Sequence, residues 1–175
     1  RDKYEVETLT ANENVKKLAE QAIEFRAKNV VICDSSKFKE LRELLAGHDI
    51  KIFSGYDELV NLAGLKYDIT VVGISGIIAL KPIMESIGNS KVLGLANKES
   101  IVCAGDLIID KAKNSITKII PLDSEHNAIF QVLEEKNKDN IEKVILTASG
   151  GPFLNKSIDE LKEITPEEAI KHPKW

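Results

Sequence analysis

The stretch Lys91–Lys113 reads KVLGLANKESIVCAGDLIIDKAK, and its two halves carry different periods. Lys91–Leu95 is a short apolar run of strand length, whereas from Lys98 to about Lys113 apolar residues recur at helical spacing. A strand passing through Ala96 and Asn97 into a helix is one βα unit. Upstream the same alternation recurs. Tyr4–Thr10 alternates as a strand, and Asn14–Phe25 follows as a helix with Val15, Leu18, Ala19, Ala22 and Ile23 on one face. Asn29–Cys33 is an apolar strand, and Phe38, Leu41, Leu44 and Leu45 mark a helix ending near Gly47. Ile50–Phe53 is the next strand, followed by a short helix over Asp57–Ala63 that Gly64 stops. Ile69–Val72 is a buried strand. Ile77, Leu80, Met84 and Ile87 then share a helix face that ends at Gly88, with Pro82 in an early turn.

Strands each followed by a helix predict a parallel sheet with helices on both faces, a doubly wound, Rossmann-like α/β domain. Continuous apolar strands agree with cover on both sides. Ligands of such sheets bind at the carboxyl ends of the strands. That singles out the loops Thr10–Asn14, Asp34–Ser36, Gly73–Gly76 and Ala96–Glu99.

Beyond about Ile116 the character changes. Ile116–Leu122 reads as a strand running into Asp123, and His126–Glu135 as a short helix before the polar stretch Lys136–Asn140. Val144–Thr147 reads as another strand, ending in Ser149-Gly150-Gly151-Pro152. Ser157 with Glu160, and Thr165-Pro166 with Glu168, are capping-box helix starts. A domain boundary is expected near Leu122, with the Rossmann-like domain over 1–122 and part of a second, α+β domain over 123–175. The chain opens on Arg1-Asp2 and stops at Trp175, so it is expected to be a piece of a longer polypeptide.

Composition narrows the function. The 175 residues are 43% hydrophobic and 30% charged, the balance of a globular protein with a core. The net charge of −4 gives no basic footprint for nucleic acid and no pull toward anionic membranes. Cys33 and Cys103 sit far apart in apolar stretches, which predicts two buried reduced thiols and no zinc site. The apolar run Ile69–Leu80 is too short to span a bilayer.

Several stretches can carry chemistry, each beside a plainer alternative. Asp123 and Glu125 flank Ser124 at a strand end and suit a hard divalent cation, though a solvated acidic pair is the commoner meaning of that spacing. Ser149-Gly150-Gly151 can approach an anion or simply turn the chain. Lys98 opens a helix, where its charge opposes the dipole. His126 and His172 can donate to phosphate or move a proton, and either can equally be structural. Gly73-Ile74-Ser75-Gly76 is a strand-to-helix turn compatible with a close-lying cofactor, although no GxGxxG occurs. Asp34 is read as an N-cap.

Four stretches in order and spacing carry a resemblance: LANKES (Leu95–Ser100), DSEHNAIFQ (Asp123–Gln131), TASGGPF (Thr147–Phe153) and HPKW (His172–Trp175). Together they resemble the 1-deoxy-D-xylulose 5-phosphate reductoisomerase family over nearly the whole chain. The resemblance implies a homodimeric, NADPH-dependent enzyme using Mg²⁺, Mn²⁺ or Co²⁺ in isoprenoid biosynthesis. Such an enzyme rearranges a sugar phosphate and reduces it to 2-C-methyl-D-erythritol 4-phosphate, in the bacterial cytoplasm or a plastid-type organelle. It further implies that Asp123 and Glu125 are metal ligands. Lys98, Ser124, Glu125, Ser149, His172 and Trp175 would contact substrate, with Lys98 and Glu125 in catalysis and Trp175 on a closing flap. Ala11, Asn12, Asn14, Gly73, Ile74, Ser75, Asn97 and Glu99 would line the cofactor. Glu13 departs from this pattern by placing negative charge near the site implied for the 2′-phosphate. The family's glycine-rich phosphate loop would precede Arg1, and a third carboxylate ligand would follow Trp175, so the isolated chain is expected to be inactive or nearly so. A metal-dependent sugar-phosphate isomerase or aldolase, and a nucleotide-sensing module, are the alternatives; neither accounts for ANKES and DSEHN together.

Overall fold

The structure, a computed structural model, describes residues 3–146 and 151–170. The chain divides into two compact units between Asn127 and Ala128.

The first unit holds six parallel strands grouped into two three-stranded sheets, not the single sheet that the alternation predicts. β1 (Thr8–Ala11), β2 (Asn29–Ile32) and β3 (Lys51–Ser54) pair in sequence order, as do β4 (Tyr67–Val72), β5 (Ser90–Leu95) and β6 (Lys118–Pro121). The expected first strand starts later than Tyr4, and Tyr4 is exposed.

Period two decides what each strand residue meets. In β2, Val30 and Ile32 face α1 (Val15–Phe25) and α2 (Phe38–Leu44), packing with Val15, Leu18 and Leu41. Val31 faces the other way, onto Leu59 and Leu62 of α3 (Tyr56–Ala63). The first sheet is thus covered on both faces, as its apolar run requires. In the second sheet Val72, Leu93 and Leu95 pack on Ile83 of α4 (Leu80–Ser86) and Ile108 of α5 (Lys98–Lys113). The opposite face differs from expectation, because Ile69 and Val71 of β4 remain 48% and 66% exposed.

Local signals explain where the helices start. Asn14 caps α1 by accepting the Lys17 amide, and Asn97 caps α5 by accepting the Ser100 amide at 2.8 Å. Asp34 accepts the Ser36 amide at 2.9 Å and caps a 3₁₀ turn, the role its position predicts. α5 has the expected bounds but is broken at Ala104, whose φ of −147° leaves the helical region just before Gly105. Cys33 is half-buried and Cys103 is exposed on α5, beside Val102 at 84% exposure, so the expectation of two buried thiols fails for Cys103.

The second unit is sparser. Its helices α7 (Ile158–Lys162) and α8 (Pro166–Ala169) each begin in a complete capping box, on Ser157–Glu160 and Thr165–Glu168. Glu135–Asn140 forms a 3₁₀ helix. Val144–Leu146 does not form the expected strand: these apolar residues are exposed and pair with no strand among the described residues. A strand exists only through a ladder partner, which its own sequence does not specify.

Candidate active site

Strand register builds the site. β5 and β6 are parallel neighbours with Leu95 opposite Pro121, and the Leu122 amide donates to the Leu95 carbonyl at 2.8 Å. Two chain segments therefore leave the same sheet end side by side. One passes Ala96-Asn97 into α5; the other passes Leu122-Asp123 into α6 (Ser124–Val132). Lys98, first in α5, reaches Asp123, just ahead of α6. Its Nζ lies 3.0 Å from Asp123 Oδ2.

α6 begins two residues before the sequence pattern suggests, so Ser124, Glu125 and His126 lie in its first turn rather than in a strand-end loop. The Asn127 amide donates to the Asp123 carbonyl at 2.8 Å, and Asn127 Nδ2 to the Pro121 carbonyl at 2.7 Å. These bonds fix the turn that carries Asp123. Sequence reasoning missed this role of Asn127. It also left His126 open, whereas the structure puts His126 Nδ1 3.7 Å from Asp123 Oδ1. The signal for both was present in the DSEHN stretch, which places them three and four residues after Asp123.

Asp123 is more enclosed than its partner, its side chain 13% exposed against 63% for Lys98. The Lys98 ammonium beside it holds the Asp123 carboxyl below the usual carboxylate range, with lesser help from its neighbours Glu125 and His126. The same contact raises Lys98 above the ordinary lysine value. Asp123 thus repays Lys98 for opposing the dipole of its own helix.

The donor set suits a divalent cation in part. Asp123 stands just ahead of α6 with Glu125 in the first turn of that helix, and Asp123 stays ionised. Oxygen donors of this kind select hard cations. Among the described residues no group of three or more His, Cys, Asp or Glu side chains is arranged to hold a metal ion.

The second part of the site is the turn after β4. Gly73 opens it, and a Cβ there would meet nothing within 4 Å, so the backbone faces open space. Gly76 closes it at φ +80°, a conformation that favours glycine. Asn97 Nδ2 donates to the Ile74 carbonyl at 2.8 Å and to the Gly76 carbonyl at 3.0 Å. The Gly76 amide donates to Glu99 Oε1 at 3.1 Å. Ser75 is exposed on the turn. At the carboxyl end of β1, Asn12 donates to Glu13 and Asn14 is engaged as the cap of α1; Ala11 is half-buried. Ser149, His172 and Trp175 lie outside the described residues.

Comparison with known proteins bears on this arrangement. The family pattern described as 1-deoxy-D-xylulose 5-phosphate reductoisomerase matches residues 1–105, and that of the C-terminal domain of the same family matches residues 119–175. A relative from Wolbachia pipientis subsp. Culex pipiens, named 1-deoxy-D-xylulose 5-phosphate reductoisomerase, is 49% identical over the whole chain and 45% of its own length. One of the same name from Zymomonas mobilis is 45% identical over 99% of the chain and 45% of its own length. The solved Zymomonas mobilis enzyme in complex with NADPH superimposes with a TM-score of 0.83 at 45% identity, over 97% of this chain and 45% of that one. A DOX-P reductoisomerase in complex with NADPH, fosmidomycin and magnesium gives 0.79 at 37% identity, over 99% of this chain and 46% of that one. The chain spans about half the length of the relatives it matches.

Proposed function

The chain belongs to the 1-deoxy-D-xylulose 5-phosphate reductoisomerase family, and on that footing we propose that it forms the cofactor-binding domain and part of the catalytic domain of such an enzyme. The reaction is the NADPH- and divalent-metal-dependent isomerisation and reduction of 1-deoxy-D-xylulose 5-phosphate to 2-C-methyl-D-erythritol 4-phosphate. The observation that carries the reading is the 3.0 Å contact between Lys98 and Asp123. It joins the ANKES and DSEHN stretches at one sheet end, where α/β sheets bind ligands.

When bound, NADPH supplies the hydride and the cation polarises the substrate carbonyl. The chain's own residues prepare for that chemistry. Asp123 and Glu125 offer carboxylate oxygens to the cation, and Asp123, kept ionised by Lys98, needs no deprotonation to serve. Lys98, raised by its contact with Asp123, can meet a substrate hydroxyl as a donor and a positive charge. Ser124, exposed in the first turn of α6, can donate to a second hydroxyl. Gly73, Ile74 and Ser75 offer backbone and hydroxyl beside the cofactor, with Asn97 and Glu99 next to them; Ala11, Asn12 and Asn14 occupy the strand end suited to the adenosine side. We assign Ser149 and His172 to the substrate phosphate and Trp175 to a closing flap, on the family resemblance alone.

The rest of the reading is a homodimer in the bacterial cytoplasm that acts on a small sugar phosphate without nucleic acid or membrane. The acidic charge supports it, and among the described residues no helix is long and apolar enough to cross a membrane. The test is direct. The chain is expressed with its flanking reading frame, and NADPH absorbance is followed with deoxyxylulose phosphate and Mn²⁺. Oxidation that a chelator stops is the expected result. A folded protein that oxidises no NADPH refutes the proposal and brings the isomerase and sensor readings forward.

A further inference from the structure

The two sheets run outward in sequence order, β1-β2-β3 and β4-β5-β6. Thr8 and Tyr67, the first residues of β1 and β4, share a hydrogen bond of 2.9 Å through their hydroxyls. At the other end Ile74, in the turn after β4, and Cys33, just past β2, pack on the same cluster. The two halves therefore run in one direction, and strand order reverses between β1 and β4. Dinucleotides bind across such a reversal, at the carboxyl ends of the strands. Lys98 and Asp123 put the reacting end on the half built from β4, β5 and β6. That leaves the adenosine ribose to the carboxyl end of β1.

β1 ends at Ala11, and the exposed residues Asn12, Glu13 and Asn14 lead into α1. Their backbone is held in place. The Asn12 carbonyl accepts the Asp34 amide at 3.0 Å, and the Glu13 carbonyl accepts the Val15 amide at 2.8 Å. Asn12 Nδ2 donates to Glu13 Oε1 at 3.2 Å, which leaves Oε2 for a ligand. Among the described residues no lysine or arginine forms an ion pair with Glu13. The nearest lysines in sequence, Lys16 and Lys17, lie on α1, and Lys17 faces Glu20. Asp34 brings a second acid to this end, its carboxyl held below the usual range by the Ser36 hydroxyl and amide.

This donor set does not fit a 2′-phosphate. In dinucleotide-binding sheets an acidic residue at a strand end takes the ribose 2′-hydroxyl of NAD, and an arginine accommodates the 2′-phosphate of NADP. We propose that Glu13 is a specificity-determining residue at the adenosine ribose, accepting the 2′-hydroxyl of NADH and repelling the 2′-phosphate of NADPH, so that the enzyme takes NADH as well as NADPH. A repulsive group sets specificity as effectively as an attractive one. Glu13 has this role only on the functional reading above, which lays a nicotinamide dinucleotide along these strand ends.

The test is made on the chain with its flanking reading frame. NADPH and NADH are each titrated by fluorescence, and competition by adenosine 2′,5′-bisphosphate against AMP isolates the adenosine end. The unsubstituted protein is expected to bind the two dinucleotides within about tenfold of each other, since nothing here rewards the extra phosphate. Glu13→Gln keeps an acceptor oxygen and removes the charge. Exposed like charges in contact are worth about fivefold in Kd, so Glu13→Gln should tighten NADPH by about that factor and leave NADH within about twofold. Glu13→Arg should tighten NADPH by at least about tenfold, and the bisphosphate with it, while NADH weakens. A preference for NADPH beyond about tenfold in the unsubstituted protein overturns the proposal. So does a Glu13→Gln protein with both Kd values unaltered, because Glu13 would then serve only the dipole of α1. Failure of the folded, unsubstituted protein to bind either dinucleotide refutes the functional reading, and the role of Glu13 falls with it.

Discussion

Replacing Asp123 with Asn tests whether the Lys98–Asp123 contact exists for stability or for chemistry. The substitution keeps the shape of the side chain and an oxygen that can still accept from Lys98, and removes one negative charge. The structure sets the stability cost. Lys98 is 63% exposed, so water screens the pair although Asp123 itself is largely enclosed. Screened pairs of this kind contribute about 0.2–1 kcal/mol. For a unit of 127 residues that corresponds to a fall in Tm of no more than about 4 °C. The cost to cation binding should be of another order. Changes to groups that merely support a metal ligand weaken affinity by about 10–100-fold. Loss of a ligand carboxylate should therefore weaken it by at least about 100-fold. The assay pairs a thermal melt with a Mn²⁺ titration by electron paramagnetic resonance, on the chain with its flanking reading frame. A variant that melts close to the unsubstituted protein but no longer binds Mn²⁺ is the expected outcome. A variant that unfolds, or one that keeps its Mn²⁺ affinity, would refute the reasoning, because Asp123 would then be a structural anchor or a bystander.

Lys98→Met should lower turnover of the extended protein by at least about 100-fold while Mn²⁺ binding tightens, since the ammonium no longer competes for Asp123 Oδ2; weaker Mn²⁺ binding would contradict this. Ile83→Ala empties a fully buried position between α4 and the second sheet and should cost about 2–5 kcal/mol, read by urea unfolding of the extended protein. The depressed carboxyl of Glu99 fixes a sign for acid sensitivity. Its contribution is complete above the unfolded carboxyl pKa of about 4.3 and is lost as pH falls through the lower folded value. The Gly76 amide proton shift, followed by NMR, should accordingly titrate with a midpoint below that of a free glutamate, and a midpoint at or above it would remove Glu99 as the group holding that amide.

The positions of the helices and strands in the first unit were legible because each depends on neighbours in sequence. Asn14 and Asn97 cap where a polar residue meets an apolar period, and the capping boxes at Ser157 and Thr165 announce their helices. What depends on distant partners was not legible. Val144–Leu146 has the composition of a strand and forms none among the described residues, because composition records a wish for burial and not the identity of the ladder partner. The same limit hid the grouping of six strands into two sheets and the exposed face of Ile69 and Val71. It also hid the exposure of Cys103, since one apolar stretch on a helix has an outward side as well as an inward one.

The candidate site shows the same division between local and distant causes. The pairing of Asp123 with Lys98 follows from the β5–β6 register, and no spacing within either stretch contains that register. Sequence alone therefore leaves Lys98 as an oddly placed cation at a helix start and Asp123 as half of an acidic pair at a strand end. Set side by side, each accounts for the other. The lysine is tolerated against its helix dipole because the carboxylate faces it, and the carboxylate is enclosed and ionised because the lysine accompanies it. A resemblance reaches such a pair without the register, because it carries over a spatial arrangement that the stretches were selected to make. The Asn97 grip on the turn at 73–76 lies beyond that reach: it is visible only where the carbonyls of Ile74 and Gly76 can be seen to converge on one amide group.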